Sequence, residues 1–493
     1  MPPTHIVVVG LDGLRADMMT PDTTPHLLRL AQQGVWFPRH HAVFPTATRV
    51  NVTSLVTGTN SGTHGIVNNS IFEPGVAPAT AVDFGKYQMV EAADAFYGGA
   101  LLGAPSLGEI VTAHGDTMVA VSAGTTGSNR LMHHKLKSLG GIGFSTQGLP
   151  ACHPSAEAEA IVEKFGPVPA AGKPDQERLA YITQVFLEHL FPVHQPRVTI
   201  LWFSDPDLTS HYCGIGSEAC LTSIRAADAQ LGRLIDWMQQ PGMRERVNLV
   251  VLSDHGHITV RGQISVAEQL TAAGIPACNG TFGTGDVAVV PGSTGSIHLR
   301  THDPHLIRTI VEWLQAQPWC GSLFTQAKNE VEGVVPGTLA RSLVLNDHAR
   351  AGDIVYVMRT DEACDAHGIV GGGYDDSHVP VGGGTHGGLS QHELHNVCVA
   401  YGPAFQHSST NPLPSGTIDL MPTLLHVLDY PIPSSVEGRI LSEALAQPHG
   451  VPASVPASQT YSAEAVTASG LYRQHLTTTR VGTTVYLERG WVE

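Results

Sequence analysis

At 493 residues, 42% of them hydrophobic and 14% charged, the chain is long enough to bury more than one core and too apolar for a disordered scaffold. Its 27 Lys and Arg against 43 Asp and Glu give a formal charge of −16, which argues against nucleic-acid polymers and anionic membranes as partners. Seven cysteines without a C-x-x-C pair point to reduced thiols; with no signal-like or membrane-spanning apolar run, a cytoplasmic protein is expected.

Ile6–Val9, a β-branched run ended by Gly10, predicts a buried parallel strand. A helix from Pro25 follows, with Thr24 as its N-cap and Gly34 as its stop. The alternation continues with a strand at Thr117–Val121, a helix at Gln176–Leu190, a strand at Arg197–Phe203, a helix at Glu218–Met238 and a strand at Val247–Leu252. Such a series predicts an α/β fold, a mostly parallel central sheet with helices on both faces. Residues 70–170, rich in Gly and Pro, are expected to loop over one face. Residues 263–380 form an expected α+β insert or cap, with strands at Asp286–Val290, Ser296–Leu299 and Ile354–Met358 and a helix at His305–Ala316. The last segment, 451–493, alternates enough to supply closing strands.

Six potential ligands stand just beyond those apolar runs: Asp12, Asp207, His211, Asp254, His255 and His386. Strand ends meet at one edge of an open α/β sheet, so residues distant in sequence are brought together there. Asp207 and His211 are one helical turn apart and fall on one face. Asp254 and His255 end a buried strand in charge, which requires compensation. His386 lies among glycines that permit close backbone approach. Singly, each has an ordinary alternative, such as a helix cap, a turn or a flexible loop. Jointly, six oxygen and nitrogen ligands suit zinc, three to each of two ions, with positions left for a nucleophile and a substrate oxygen.

Around these residues the chain resembles the alkaline phosphatase superfamily, in particular its nucleotide pyrophosphatase/phosphodiesterase branch. The string Phe44-Pro45-Thr46-Ala47-Thr48-Arg49 is similar to that branch's nucleophile motif, and His64-Gly65-Ile66-Val67-Asn68-Asn69 to the motif that follows it. The three ligand motifs occur in the family's order, so the resemblance runs from Ile6 to about Phe405. It implies an alkaline phosphatase-like core over residues 1–262 and 381–450. It also implies one zinc on Asp207, His211 and His386 and another on Asp12, Asp254 and His255. Thr48 would bridge the two and attack phosphorus, forming a phosphothreonine, and Asn69 would donate to a phosphoryl oxygen. A threonine hydroxyl is a weak nucleophile that metal coordination activates, and paired metals suit in-line displacement at phosphorus.

The implied activity is hydrolysis of small-molecule phosphate esters, with diesters or pyrophosphates preferred. A phosphonate hydrolase of the phosphonoacetate type is the first alternative, and a phosphomonoesterase the second. Arg49, Val50 and Val52 depart from the branch's usual neutral residue, Pro and His. Arg49 is therefore a candidate for binding a second anionic group of the substrate through its planar fork, with a surface ion pair as the alternative. A phosphonate substrate's carboxylate would draw on Arg49, Arg130, Lys135 or Lys137. The sulfatase pattern, a Cys or Ser nucleophile with Arg four residues on, is not met. A non-catalytic binding protein with an inherited fold is disfavoured by the intact nucleophile and ligands.

Overall fold

Ile6 and Val8 face one apolar core while Val7, Val9 and Leu11 face another, so the first strand is covered on both sides. Val250 and Leu252 belong to the first core and Val247, Leu249 and Val251 to the second, by the same alternation. In the computed structural model, which describes residues 4–447 and 454–493, these strands lie at the middle of an eight-stranded sheet. Its order is Ser409–Thr410, Val35–Trp36, Cys398–Tyr401, Val247–Leu252, His5–Leu11, Val198–Phe203, Met118–Ser122 and Ile142–Ser145. The last five run parallel to one another, and Cys398–Tyr401 is antiparallel to its neighbour. The α/β architecture is therefore as expected.

Register positions the chemistry. Leu11 pairs with Phe203 and Gly10 with Leu252, so three adjacent parallel strands end level with one another. The chain leaves all three at the same edge, carrying Asp12, Asp207 and the Asp254-His255 pair.

A six-stranded sheet built from Ala277–Asn279, Val287–Val290, Thr294–Leu299, Ile354–Met358, Cys320–Thr325 and Leu339–Ala340 has its own apolar core with the helices Val266–Ala272 and Pro304–Gln315. The C-terminal strands Ala457–Thr467, Gly470–Val481 and Thr484–Val492 form a meander that packs on it. Tyr472 enters that core, and the Gln474 amide bonds the main chain of Leu323 in both directions. The boundary expected at residues 450–451, like residues 1–3, lies outside the described residues. Among the described residues no helix is long and apolar enough to cross a membrane.

Three local expectations are corrected. Residues 70–170 are not mainly loop: they hold the helices Tyr87–Phe96, Leu107–Ala113, Thr126–Met132 and Ser155–Phe165, besides two strands of the main sheet. These are short elements, and tertiary packing rather than periodicity sustains them. The helix Gln176–Val185 passes into a π-turn, Phe186–Leu190, instead of continuing as α-helix. Thr24 occupies the N-cap position of Pro25–Gln33 without capping it. The carboxylate of Asp228 does so instead, accepting from the amides of His26 and Leu27 at 2.9 and 2.8 Å.

Candidate active site

Asp12 and Asp254 come within reach of each other at the ends of neighbouring strands. Asp12 Oδ2 accepts from the Trp202 indole N–H at 2.9 Å, and Asp254 Oδ1 from the Gly13 amide at 3.1 Å. Their other oxygens, Asp12 Oδ1 and Asp254 Oδ2, are buried with no hydrogen-bond partner. His255 Nε2 stands 3.7 Å from the first and 3.4 Å from the second. The same Nε2 is 3.2 Å from the Thr48 hydroxyl, which lies in the first turn of the helix Thr48–Thr57. Ala47, not Thr48, is that helix's N-cap, so the threonine side chain is not used on the helix amides.

The second group centres on Asp207 Oδ1. His211 Nε2 is 3.1 Å from it, His257 Nε2 2.9 Å and His386 Nε2 3.5 Å. Asp207, His211, His257 and His386 all present ligand atoms within 4.8 Å of one another, and so do Asp12, Asp207 and His255, so the two groups adjoin. The His255 and His386 rings stack with centroids 3.7 Å apart.

In all four histidines Nδ1 rests on a main-chain carbonyl: His211 on Gly384, His255 on Gly256, His257 on Gly13 and His386 on Thr46. Each carbonyl accepts an N–H from Nδ1, so a neutral ring keeps its lone pair on Nε2, aimed into the carboxylates. Burial drives the His255 imidazole down to about 3, and burial with the adjoining His255 holds His386 well below its ordinary value. Burial, with Asp254 and Asp207 close by, pushes Asp12 well above the usual carboxylate range. Burial likewise lifts Asp254 to about 7. Asp207 goes the other way: burial opposes its ionisation, but the His211 charge and hydrogen bond hold it well below the ordinary value. Lone pairs and carboxylates packed together in this way are complementary to cations.

Two glycines make room for this arrangement. A Cβ on Gly10 would lie 2.1 Å from the Trp202 ring, so the indole that holds Asp12 requires glycine beneath it. Gly13 has φ +70°, and a Cβ there would lie 2.2 Å from the His257 ring.

Asn69 Oδ1 accepts from the Arg49 amide at 3.0 Å, and among the described residues no protein group engages its Nδ2 donors. The Arg49 side chain forms no ion pair among the described residues. Its Nε is buried without a partner, and Nη2 lies against Gly85, 2.7 Å from where a Cβ would stand. Its charge is felt at Asp12. Arg130, Lys135 and Lys137, by contrast, are committed elsewhere. Arg130 and Lys137 pair with Glu91, and Lys135 pairs with Asp94 at 2.7 Å.

All six expected ligands, Thr48, Arg49 and Asn69 are thus placed, and His257 and Trp202 are added. His257 is two residues beyond His255 in Ser-Asp-His-Gly-His, and that spacing was the available signal. Nothing local marks Trp202, a core residue of a buried strand.

The profile of the type I phosphodiesterase / nucleotide pyrophosphatase family matches residues 6–375. A venom phosphodiesterase from Naja atra is 26% identical over 262 residues, 51% of this chain and 26% of that protein. Mouse ectonucleotide pyrophosphatase/phosphodiesterase family member 1 is 25% identical over 259 residues, 52% of this chain and 24% of its own length. The chain thus spans about a quarter of those two curated relatives. Among solved structures, murine ectonucleotide pyrophosphatase / phosphodiesterase 5, as an inactive threonine-to-alanine variant in complex with AMP, superposes with a TM-score of 0.62 at 20% identity, covering 90% of this chain and 100% of the other. That likeness shows a shared fold.

Proposed function

The chain belongs to the type I phosphodiesterase / nucleotide pyrophosphatase family, and from that premise we propose that it is a two-zinc hydrolase of small-molecule phosphate esters, phosphodiesters and pyrophosphates preferred. The observation that carries the reading is the pair of partnerless buried oxygens, Asp12 Oδ1 and Asp254 Oδ2, converging with His255 Nε2 beside the Thr48 hydroxyl. Unpaired buried acceptors are rare and costly, and a cation satisfies both at once. The donor set fits zinc: carboxylate oxygens and imidazole nitrogens, each ring oriented by a main-chain carbonyl. Asp12, Asp254 and His255 would hold one ion, and Asp207, His211 and His386 the other. When bound, the ions supply Lewis-acid activation of the Thr48 hydroxyl and neutralise charge on the leaving oxygen.

The remaining work falls to side chains. Thr48 attacks phosphorus and gives up its hydroxyl proton, and the bond to the leaving alcohol or phosphate breaks as that group takes up a proton. The resulting phosphothreonine, still esterified with the substrate's other substituent, is hydrolysed by water to release the substituted phosphate. The first turn of the helix Thr48–Thr57 favours the anionic phosphoryl group through the positive end of the helix dipole. Asn69, its carbonyl anchored on the Arg49 amide, directs its Nδ2 donors to a nonbridging oxygen. Arg49 binds a second anionic group, the distal phosphate of a pyrophosphate or, under the alternative reading, the carboxylate of a phosphonate. The seven free cysteines fit a reducing compartment such as the cytoplasm.

The test is a chromogenic diester assayed with protein stripped of metal and then reloaded with zinc, followed by acid quench and peptide mass mapping. Activity should vanish on stripping and return with zinc, and the peptide carrying Thr48 should gain the phosphoryl group together with the ester substituent that the diester retains. Thr48→Ala should lose several orders of magnitude in kcat with metal content retained, and Thr48→Ser should keep some activity. Near wild-type turnover in Thr48→Ala would exclude the mechanism.

A further inference from the structure

A second cluster lies away from this site, where the C-terminal meander meets the core. His41 and His395 stand directly opposite each other in the antiparallel pair His40–His41 and His395–Asn396, so their side chains share one face. Their rings meet edge to face at 4.9 Å. Glu488, from the strand Thr484–Val492, reaches in between them. Its Oε2 is 3.2 Å from His41 Nε2 and 3.1 Å from His395 Nε2, while its Oε1 takes the Arg39 guanidinium at 2.9 Å.

The tautomer of His41 makes this arrangement informative. Its Nδ1 donates to the Ser415 carbonyl at 2.9 Å. A neutral ring then has only a lone pair on Nε2, and that lone pair faces a carboxylate oxygen. Two acceptors 3.2 Å apart repel unless a cation or a proton lies between them. The active-site histidines show the same signature, with Nδ1 on a main-chain carbonyl and Nε2 on a carboxylate. The spacing also suits a metal: ligands at ~2.0–2.1 Å from a tetrahedral ion are about 3.3 Å from each other. Arg39 neutralises the other carboxylate oxygen, which leaves Oε2 to act as a monodentate ligand. His395 is the most exposed of the three, its side chain 38% accessible, so water can complete the coordination.

We propose that His41 Nε2, His395 Nε2 and Glu488 Oε2 form a third divalent-metal site, a structural one that takes zinc or a similar first-row ion. Two imidazoles and one carboxylate suit such ions. The ion would fasten the C-terminal meander to the core through three separate segments. Two residues beyond Glu488, the Gly490 amide donates to the Leu389 carbonyl at 2.8 Å, in the loop that carries His386. The clip would therefore also brace that loop.

The experiment uses the full chain, stripped of metal and titrated with Co²⁺, with bound equivalents and visible absorption followed together. His395→Ala should bind one equivalent fewer than wild type. Glu488→Gln, which keeps the side-chain shape if the alanine variant folds poorly, should lose the same equivalent. Asp207→Asn disrupts the active-site set and should retain it, so a failure of the two-zinc reading is told apart from a failure of this one. Chelator should lower the melting temperature of wild type more than that of Glu488→Gln. Equal equivalents in wild type, His395→Ala and Glu488→Gln, with equal chelator shifts, would overturn the proposal and leave a proton between His41 and Glu488.

Discussion

Replacing Trp202 by phenylalanine removes one N–H and keeps an aromatic ring in the core. Trp202 is fully buried, and its indole donates to Asp12 Oδ2 at 2.9 Å. That bond orients the carboxylate so that Oδ1 faces His255 and Asp254. A hydrogen bond to a charged group contributes roughly 1.5–3 kcal/mol, which corresponds to about a 10- to 150-fold loss of metal affinity. Outer-shell partners of metal ligands elsewhere show losses of the same order, about 10- to 100-fold. The smaller ring also leaves a void that lowers global stability, on the order of 1–2 kcal/mol, a separate effect. Titration of metal-free protein with zinc against a chromophoric chelator at neutral pH measures the first effect, and urea unfolding of the metal-free protein measures the second. Burial and the two neighbouring carboxylates already hold Asp12 above its ordinary value, and the Trp202 bond opposes them. Its loss raises Asp12 further, so zinc binding by the variant should weaken faster on acidification. A folded Trp202→Phe protein with wild-type zinc affinity would refute the orienting role of the indole.

Three further outcomes are expected. Asn69→Ala should lower kcat/KM by roughly 10²–10³, the usual consequence of losing one donor to a developing charge; a fall in melting temperature with unchanged kcat/KM would make Asn69 a turn residue only. Arg49→Ala should weaken substrates that carry an extra phosphate or carboxylate by about 10- to 150-fold and scarcely affect a neutral aryl diester. Lysine there should restore part of that loss, and small uniform effects across a substrate panel would count against an anion-binding Arg49. His64 is fully buried, its Nδ1 accepting from the Ile66 amide and its Nε2 donating to Ser54, and burial lowers it to about 3. Its folded value lies below its unfolded one, so its contribution is present above pH ~6.5 and is lost as pH falls toward about 3, at up to ~1.4 kcal/mol per unit. In urea melts across that window His64→Gln should show a shallower loss of stability on acidification than wild type, and identical slopes would rule out this linkage.

Much of the fold and site was legible because its signals are local. An apolar β-branched run such as Ile6–Val9 can bury both faces only inside a covered sheet, and the helix Glu218–Met238 announces itself by its spacing over 21 residues. Strand ends in such a sheet converge, so Asp12, Asp207, Asp254 and His255 were foreseeable as neighbours. The order of their motifs, with Thr48 and Asn69 between, carried the family resemblance. What the tertiary structure alone decided are partnerships across long stretches of chain: Trp202 with Asp12, Asp228 with the helix at Pro25, His257 with Asp207, Glu488 with His41 and His395, and Glu91 with Arg130. Local sequence sets dihedral preference and the face on which a side chain stands. Which group it meets there is set by strand register and packing between distant segments, 447 residues apart for His41 and Glu488, and no local pattern encodes that distance.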